Sequence, residues 1–184
     1  MGNVVVRARL PRAQQGGSHE QRGSDPSCRN DEGGISSVRR QRPINHVIGE
    51  PQTGTSWAGG GGEWHGAGVW RSTDGGENWQ LARLSRGKID DWAAQDPGFA
   101  SMVGWIEAAT PFDGLMSQVW SLGLAGGTLY AGTKPAGLVA SRDGGVTWER
   151  VEGLTDHPSA AGWNPGAAGL VLHTIVSDPA DPAK

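Results

Sequence analysis

One cysteine, one tyrosine and two phenylalanines are all that this 184-residue chain holds of those types. Cys28 alone closes no internal disulfide and makes no cysteine metal cluster, so it reads as an idle thiol. A strong charge of either sign is also missing. The net charge of −3 and the pI near 5.9 exclude a broad surface for nucleic acid or anionic membrane. No apolar run approaches the roughly 20 residues that span a bilayer. At the start of the chain, Val4-Val5-Val6 is followed at once by Arg7 and Arg9, which leaves no signal-peptide hydrophobic region. A soluble cytoplasmic protein is therefore expected, with neither membrane nor nucleic acid as partner. His65, His157 and His173 lack local zinc spacing, so no metal and no cofactor are expected.

What the chain has instead is glycine, proline and tryptophan. Thirty-one glycines and 11 prolines accompany an apolar fraction of only 36%, and nine tryptophans offset the shortage of aliphatic residues, since each large aromatic buries roughly 150–250 Å². Short apolar runs between tight turns, with few helical patterns, read as all-β. The charge is unevenly spread. Residues 1–43 hold eight of the sixteen basic residues, all arginine, against four acids, and show neither strand alternation nor helical period. They read as a disordered basic segment, with an arm for an acidic partner as the functional alternative.

From Ile44 onward a repeat organises the sequence. Ser72-Thr73-Asp74-Gly75-Gly76-Glu77-Asn78-Trp79 and Ser141-Arg142-Asp143-Gly144-Gly145-Val146-Thr147-Trp148 both read Ser-x-Asp-Gly-Gly-x-x-Trp, offset by 69 residues. Upstream, Trp57-Ala58-Gly59 matches Tyr130-Ala131-Gly132, and Val69-Trp70-Arg71 matches Leu138-Val139-Ala140. Each copy divides into four short strands bounded by turn residues. The first copy, 44–82, places them at Ile44–Glu50, Thr55–Gly59, Val69–Ser72 and Asn78–Ala82, with a long loop Gly60–Gly68. The second, 117–153, places them at Ser117–Leu124, Thr128–Thr133, Leu138–Ser141 and Thr147–Glu152. Between them lies an insertion, 83–116, in which Ile89–Trp92 and Met102–Ile106 are expected to form a short helix or lid. A third copy begins within 170–184, with a strand at Val171–Ser177 and a turn at Asp178–Pro182. Four antiparallel strands at this spacing describe propeller blades. The expected fold is an incomplete β-propeller, about two four-stranded blades plus the first strand of a third. A naturally truncated product is one reading of such a chain.

The repeated unit resembles the Asp-box, or BNR repeat, of sialidases, sortilin-type receptors, several glycoside hydrolases and photosystem-assembly propellers. Ser72, Asp74, Gly76 and Trp79, and Ser141, Asp143, Gly145 and Trp148, match it fully. A narrower likeness, to bacterial propeller proteins labelled exo-α-sialidase-like or glycosyl-hydrolase-like, rests on Gly61–Gly66, Val69–Asp74, Val119–Leu122, Leu129–Gly132, Trp163–Gly166 and Leu172–Ile175. The spacing itself implies a structural role: a short Asp or Ser side chain closes a turn on backbone N–H groups, and the tryptophan on the next strand covers it. The resemblance places these boxes on the face away from the active site.

Loops accumulate length after the even-numbered strands, which emerge opposite the boxes. That face carries Glu63, Trp64, His65, Lys134, Asp156, His157, Trp163 and Asn164, with His173 at the start of an innermost strand. A tryptophan beside a carboxylate and an imidazole suits a sugar, with Glu63 as general acid or base, His65 or His173 tuning it, and Asp156 as the second carboxylate. The plainer readings are solvated loop residues for Glu63 and His65, loop pins for Trp64 and Trp163, and a core histidine at 173. The arginines and tyrosine nucleophile that the sialidase resemblance implies have no match; Tyr130 stands at a packing position of the repeat. The leading expectation is a binding or scaffold module for a carbohydrate or protein ligand, able to self-associate through open blade edges. A sialidase-like glycosidase is the alternative, one whose site needs blades missing here and whose second carboxylate is Asp156 or lies in those blades.

Overall fold

The computed structural model describes residues 43–178. The disorder expected for 1–43 and the turn expected at Asp178–Pro182 thus lie almost wholly outside the described residues. Within them the chain is mostly β: eight strands in a curled antiparallel sheet, with three short helices and a 3₁₀ turn. No helix among the described residues is long and apolar enough to cross a membrane.

The strands run as two meanders. The first is β1 (Ile44–Glu50), β2 (Thr55–Gly62), β3 (Gly66–Ser72) and β4 (Gln80–Arg83), each paired antiparallel with the next. The second is β5 (Gln118–Ala125), β6 (Thr128–Lys134), β7 (Leu138–Ser141) and β8 (Glu149–Arg150), paired in the same way. A single bridge, Gly61 to Gln118, joins them. The register repeats with the sequence: Trp57 faces Arg71 as Tyr130 faces Ala140, and Arg71 faces Gln80 as Ala140 faces Glu149. Even the irregularity recurs, since a bulge falls between Ile44 and His46 in β1 and between Val119 and Ser121 in β5. The β5–β6 hairpin turns on Gly126-Gly127, both at positive φ (54° and 75°), as a two-residue hairpin turn requires.

The core lies between the meanders. Trp57 and Val69 from the first meet Val119, Leu122, Leu129 and Val139 from the second, and Leu84, Phe112 and Met116 of the insertion close one end. The contact is close enough to exclude side chains. A Cβ on Gly59 would stand 2.5 Å from Val119 Cγ1. Asn45 Nδ2 donates to the Val119 carbonyl (2.8 Å), the Leu122 N–H donates to His46 Nδ1 (2.7 Å), and Trp57 Nε1 donates to the Gly144 carbonyl (2.8 Å).

The insertion is ordered, as α1 (Lys88–Gln95), which covers the expected Ile89–Trp92, and α2 (Pro97–Val103), which ends at the start of the expected Met102–Ile106 and leaves Trp105 and Ile106 outside any helix. Three expectations need correction. The long loop at 60–68 does not exist: β2 and β3 continue pairing to Gly62 and Gly66, leaving only Glu63, Trp64 and His65 between them. The glycines there show no alternation because the space beside them is filled by backbone, such as the Gly66 carbonyl 2.2 Å from where a Gly61 Cβ would stand. The strand expected at 147–152 shrinks to Glu149–Arg150, since Thr147 is held in the turn and Glu152 starts α3 (Glu152–Thr155). Residues 171–177 form no strand, because they meet the second meander through few bonds. The Leu172 N–H donates to the Thr133 carbonyl (3.1 Å), Ser121 Oγ to the Leu172 carbonyl (2.7 Å) and Ser177 Oγ to the Leu124 carbonyl (3.2 Å).

Candidate functional site

The two ends of each meander differ in chemistry. At one end lie the repeated turns, with the same wiring in both copies. Ser72 Oγ donates to Asp74 Oδ1 (2.8 Å) and accepts from the Gly76 N–H (2.9 Å), while Ser141 Oγ does the same with Asp143 (2.8 Å) and Gly145 (2.7 Å). Asp74 accepts from the backbone and side chain of Asn78 (2.9 and 2.8 Å), and Asp143 from the backbone and hydroxyl of Thr147 (2.9 and 2.5 Å). Trp79 and Trp148 fold back so that each Nε1 donates to the Gly76 or Gly145 carbonyl (2.9 and 3.1 Å). Hydrogen bonds to the charged form stabilise it. The Asn78 N–H, then its amide, then the Ser72 hydroxyl hold Asp74 down at about 2. The Thr147 hydroxyl and N–H, then the Ser141 hydroxyl, push Asp143 lower still. Carboxylates so engaged act as turn closures, with no lone pair directed at a substrate.

At the other end, β2 and β3 meet at Glu63-Trp64-His65. The turn is clasped by the start of α1, where the Lys88 N–H donates to the Glu63 carbonyl and the Ile89 N–H to the Trp64 carbonyl, both at 3.0 Å. Lys88 Nζ pairs with Glu63 Oε1 at 2.5 Å and lies 5.5 Å over the Trp64 ring. Trp64 meets Trp92 edge-to-face at 5.3 Å and 82°, and Trp92 meets Phe99 at 5.9 Å and 69°. Both tryptophans are about half exposed, at 49% and 52%. Behind this surface Asp90 is buried, accepting from Arg83 Nη2, the Gly87 N–H (2.8 Å) and Trp105 Nε1 (2.8 Å). Burial alone would raise its carboxyl, but these three donors outweigh it and hold the pKa below the ordinary value.

The other sequence candidates each have partners of their own. Asp156 pairs with Arg150 at 3.1 Å, at the exit of β8. His157 accepts from the Ser159 N–H (3.2 Å) and starts the 3₁₀ turn Pro158–Gly162, where Trp163 Nε1 donates to Ser159 Oγ (3.1 Å) and Asn164 Nδ2 to the Gly162 carbonyl (3.4 Å). Lys134 ends β6, its carbonyl accepting from the Ser117 N–H (2.8 Å). His173 is exposed beside Trp120, with ring centroids 6.4 Å apart, and is no core histidine. His65 is buried and so is no solvated loop residue, while Glu63 is exposed.

The chain matches no family model and no curated protein.

Chemically, the Glu63 end offers stacking faces, one cation and one carboxylate. A cavity of about 140 Å³ lies under the β6–β7 connection, lined by Phe112, Leu115, Met116, Leu138 and Val139. That is below the roughly 300–1,000 Å³ of an ordinary ligand pocket. Among the described residues, no group of three or more His, Cys, Asp or Glu is placed to hold a metal. Sequence reasoning missed Lys88 and Trp92 as members of the surface. Their spacing of four puts them on one helix face, but only the tertiary fold brings that face to Trp64.

Proposed function

We propose that the described residues form two blades of an Asp-box β-propeller, with the non-strand segment 171–177 seated against the second, and that the chain is a binding or scaffold module working through the end opposite the boxes. The blade reading is supported by an interface used twice. Gly59 admits Val119 and Leu122 of the next meander, and Gly132 admits Leu172 in the same way, with a Cβ there falling 2.7 Å from the Leu172 carbonyl. The matching carbonyls, Val119 and Leu172, each accept a bond from β1 or β5 beside the bulge, from Asn45 and Ser121.

The observation that carries the binding reading is the exposed Trp64–Trp92 pair, held rigidly by the clasp between turn and helix. Rigid, half-exposed tryptophans give contact area at little conformational cost, so they suit a sugar face or a peptide. Hydrolysis is the less supported alternative, because a glycosidase needs two carboxyl groups across one bond, whereas Glu63 and Asp156 are engaged in separate ion pairs. Screening the full chain against immobilised glycans and peptides tests the reading. Binding that disappears in Trp92→Ala, with near-UV circular dichroism otherwise retained, is the expected result. Turnover of aryl glycosides that Glu63→Gln abolishes would overturn it in favour of an enzyme.

A further inference from the structure

Lys88 occupies a place that an external cation can take. Its ammonium stands over the Trp64 ring and against Glu63 Oε1, so this surface already pairs an aromatic face with a carboxylate counter-ion. The rest of the patch continues the pattern. Trp92 lies edge-to-face with both Trp64 and Phe99, and Asp96, which caps α2 by accepting from the Gly98 and Phe99 N–H groups (2.8 and 3.0 Å), is exposed next to it. The surrounding charge leans acidic: the insertion 83–116 holds five acids against Arg83, Arg86 and Lys88, with Arg83 engaged by the buried Asp90 and Arg86 by Asp91 at 3.4 Å.

The patch is also built firmly. A Cβ on Gly87 would stand 2.4 Å from the Gly66 nitrogen and from the Trp64 carbonyl oxygen, so the chain before α1 runs directly against the turn. The buried Asp90, bonded to Gly87, Arg83 and Trp105, fixes α1 from beneath.

We propose that the Glu63–Trp64–Trp92 surface recognises a basic side chain, arginine above all, of an extended partner peptide, and that Lys88 is the internal occupant which such a side chain displaces. This rests on the reading of the loop end as a binding face. A guanidinium is planar and weakly hydrated, stacks on tryptophan and bridges a carboxylate with two donors, so it fits this pair better than the resident ammonium does.

The test is tryptophan fluorescence titration of the full chain with a capped Gly-Arg-Ser-Arg repeat peptide and with its twin carrying citrulline for arginine. The arginine peptide should bind saturably and the citrulline twin several-fold more weakly. Lys88→Met should tighten the arginine peptide by about threefold or more, the scale of one cation–π contact, and leave the citrulline twin nearly unchanged. Glu63→Gln and Trp64→Ala should each weaken the arginine peptide, with near-UV circular dichroism confirming that the variants fold. Equal binding of the two peptides, no binding of either, or weaker arginine binding in Lys88→Met would overturn the proposal. Glycan binding that Trp92→Ala abolishes, in a chain that ignores both peptides, would overturn it and leave the loop-end reading standing.

Discussion

At the residue scale, the carboxylates sort themselves by what they accept. Asp74 and Asp143 accept from backbone and side-chain donors of their own turns, Asp90 from three donors of the insertion and β4, and Glu63 only from Lys88 at the surface. Only the last is placed to change partners when a ligand arrives. The turn carboxylates instead tie stability to pH. Asp74 titrates at about 2 in the folded chain against an ordinary 3.8. As pH falls, the unfolded chain takes up the proton first, so the stabilisation present above about pH 4 drains away between pH 4 and 2. Asp143 extends the same loss to lower pH. Asp74→Asn keeps the shape but loses a charged acceptor. It should be less stable than the parent in urea at neutral pH, and the two curves should converge near pH 2. A constant difference across that range would show that the carboxylate charge does not matter to the turn.

At the element scale, the fold is one four-strand unit used twice and seated twice. The sequence displays the unit openly, since the Ser-x-Asp-Gly-Gly-x-x-Trp turns follow β3 and β7 at an offset of 69 residues, and the paired positions Trp57–Arg71 and Tyr130–Ala140 recur in the register. The β2–β3 hairpin was not legible, because Gly59 to Gly62 carry no side chains whose alternation can be read. The candidate site was half legible for a related reason. Glu63-Trp64-His65 stands out in the chain, but Lys88 and Trp92 join it only through backbone bonds from α1 that no local pattern encodes. The seat between units is where a sequence change should separate the two interfaces. A side chain at Gly132 would fall 2.4 Å from Ser121 Oγ and 2.7 Å from the Leu172 carbonyl, and one at Gly59 would fall 2.5 Å from Val119. Gly132→Val should therefore release 171–177 while leaving the two meanders packed, and hydrogen exchange should show it as lost protection of the Leu172 amide. Gly59→Val should instead destabilise the whole unit, by about 1–3 kcal/mol as overpacked cores do. If the Leu172 amide stays protected in Gly132→Val, the segment is not held by this seat.

At the scale of the whole molecule, the core between the meanders leaves the outer face of the first one open at its margins. Val47, Ala58, Trp70 and Leu81 form one register row across all four strands, and its two end residues, Val47 and Leu81, are 58% and 37% exposed. Ile44 adds to this at 47%. Apolar side chains ending a sheet row, next to the unpaired edge of β4, favour contact with another sheet. The chain carries 16 basic residues against 19 acids, a net charge of −3, so two copies repel one another weakly at long range. These two effects respond oppositely to salt. Screening weakens the repulsion while leaving the apolar contact in place. Light scattering on a dilution series should therefore show self-association that rises with ionic strength, and Val47→Asp should reduce it strongly. Binding of a basic peptide at Glu63 should move the other way and weaken as salt is added, because there the charges attract. A monomer at every concentration and salt level would rule out the association, and salt-strengthened peptide binding would remove the electrostatic part of the cation-recognition proposal.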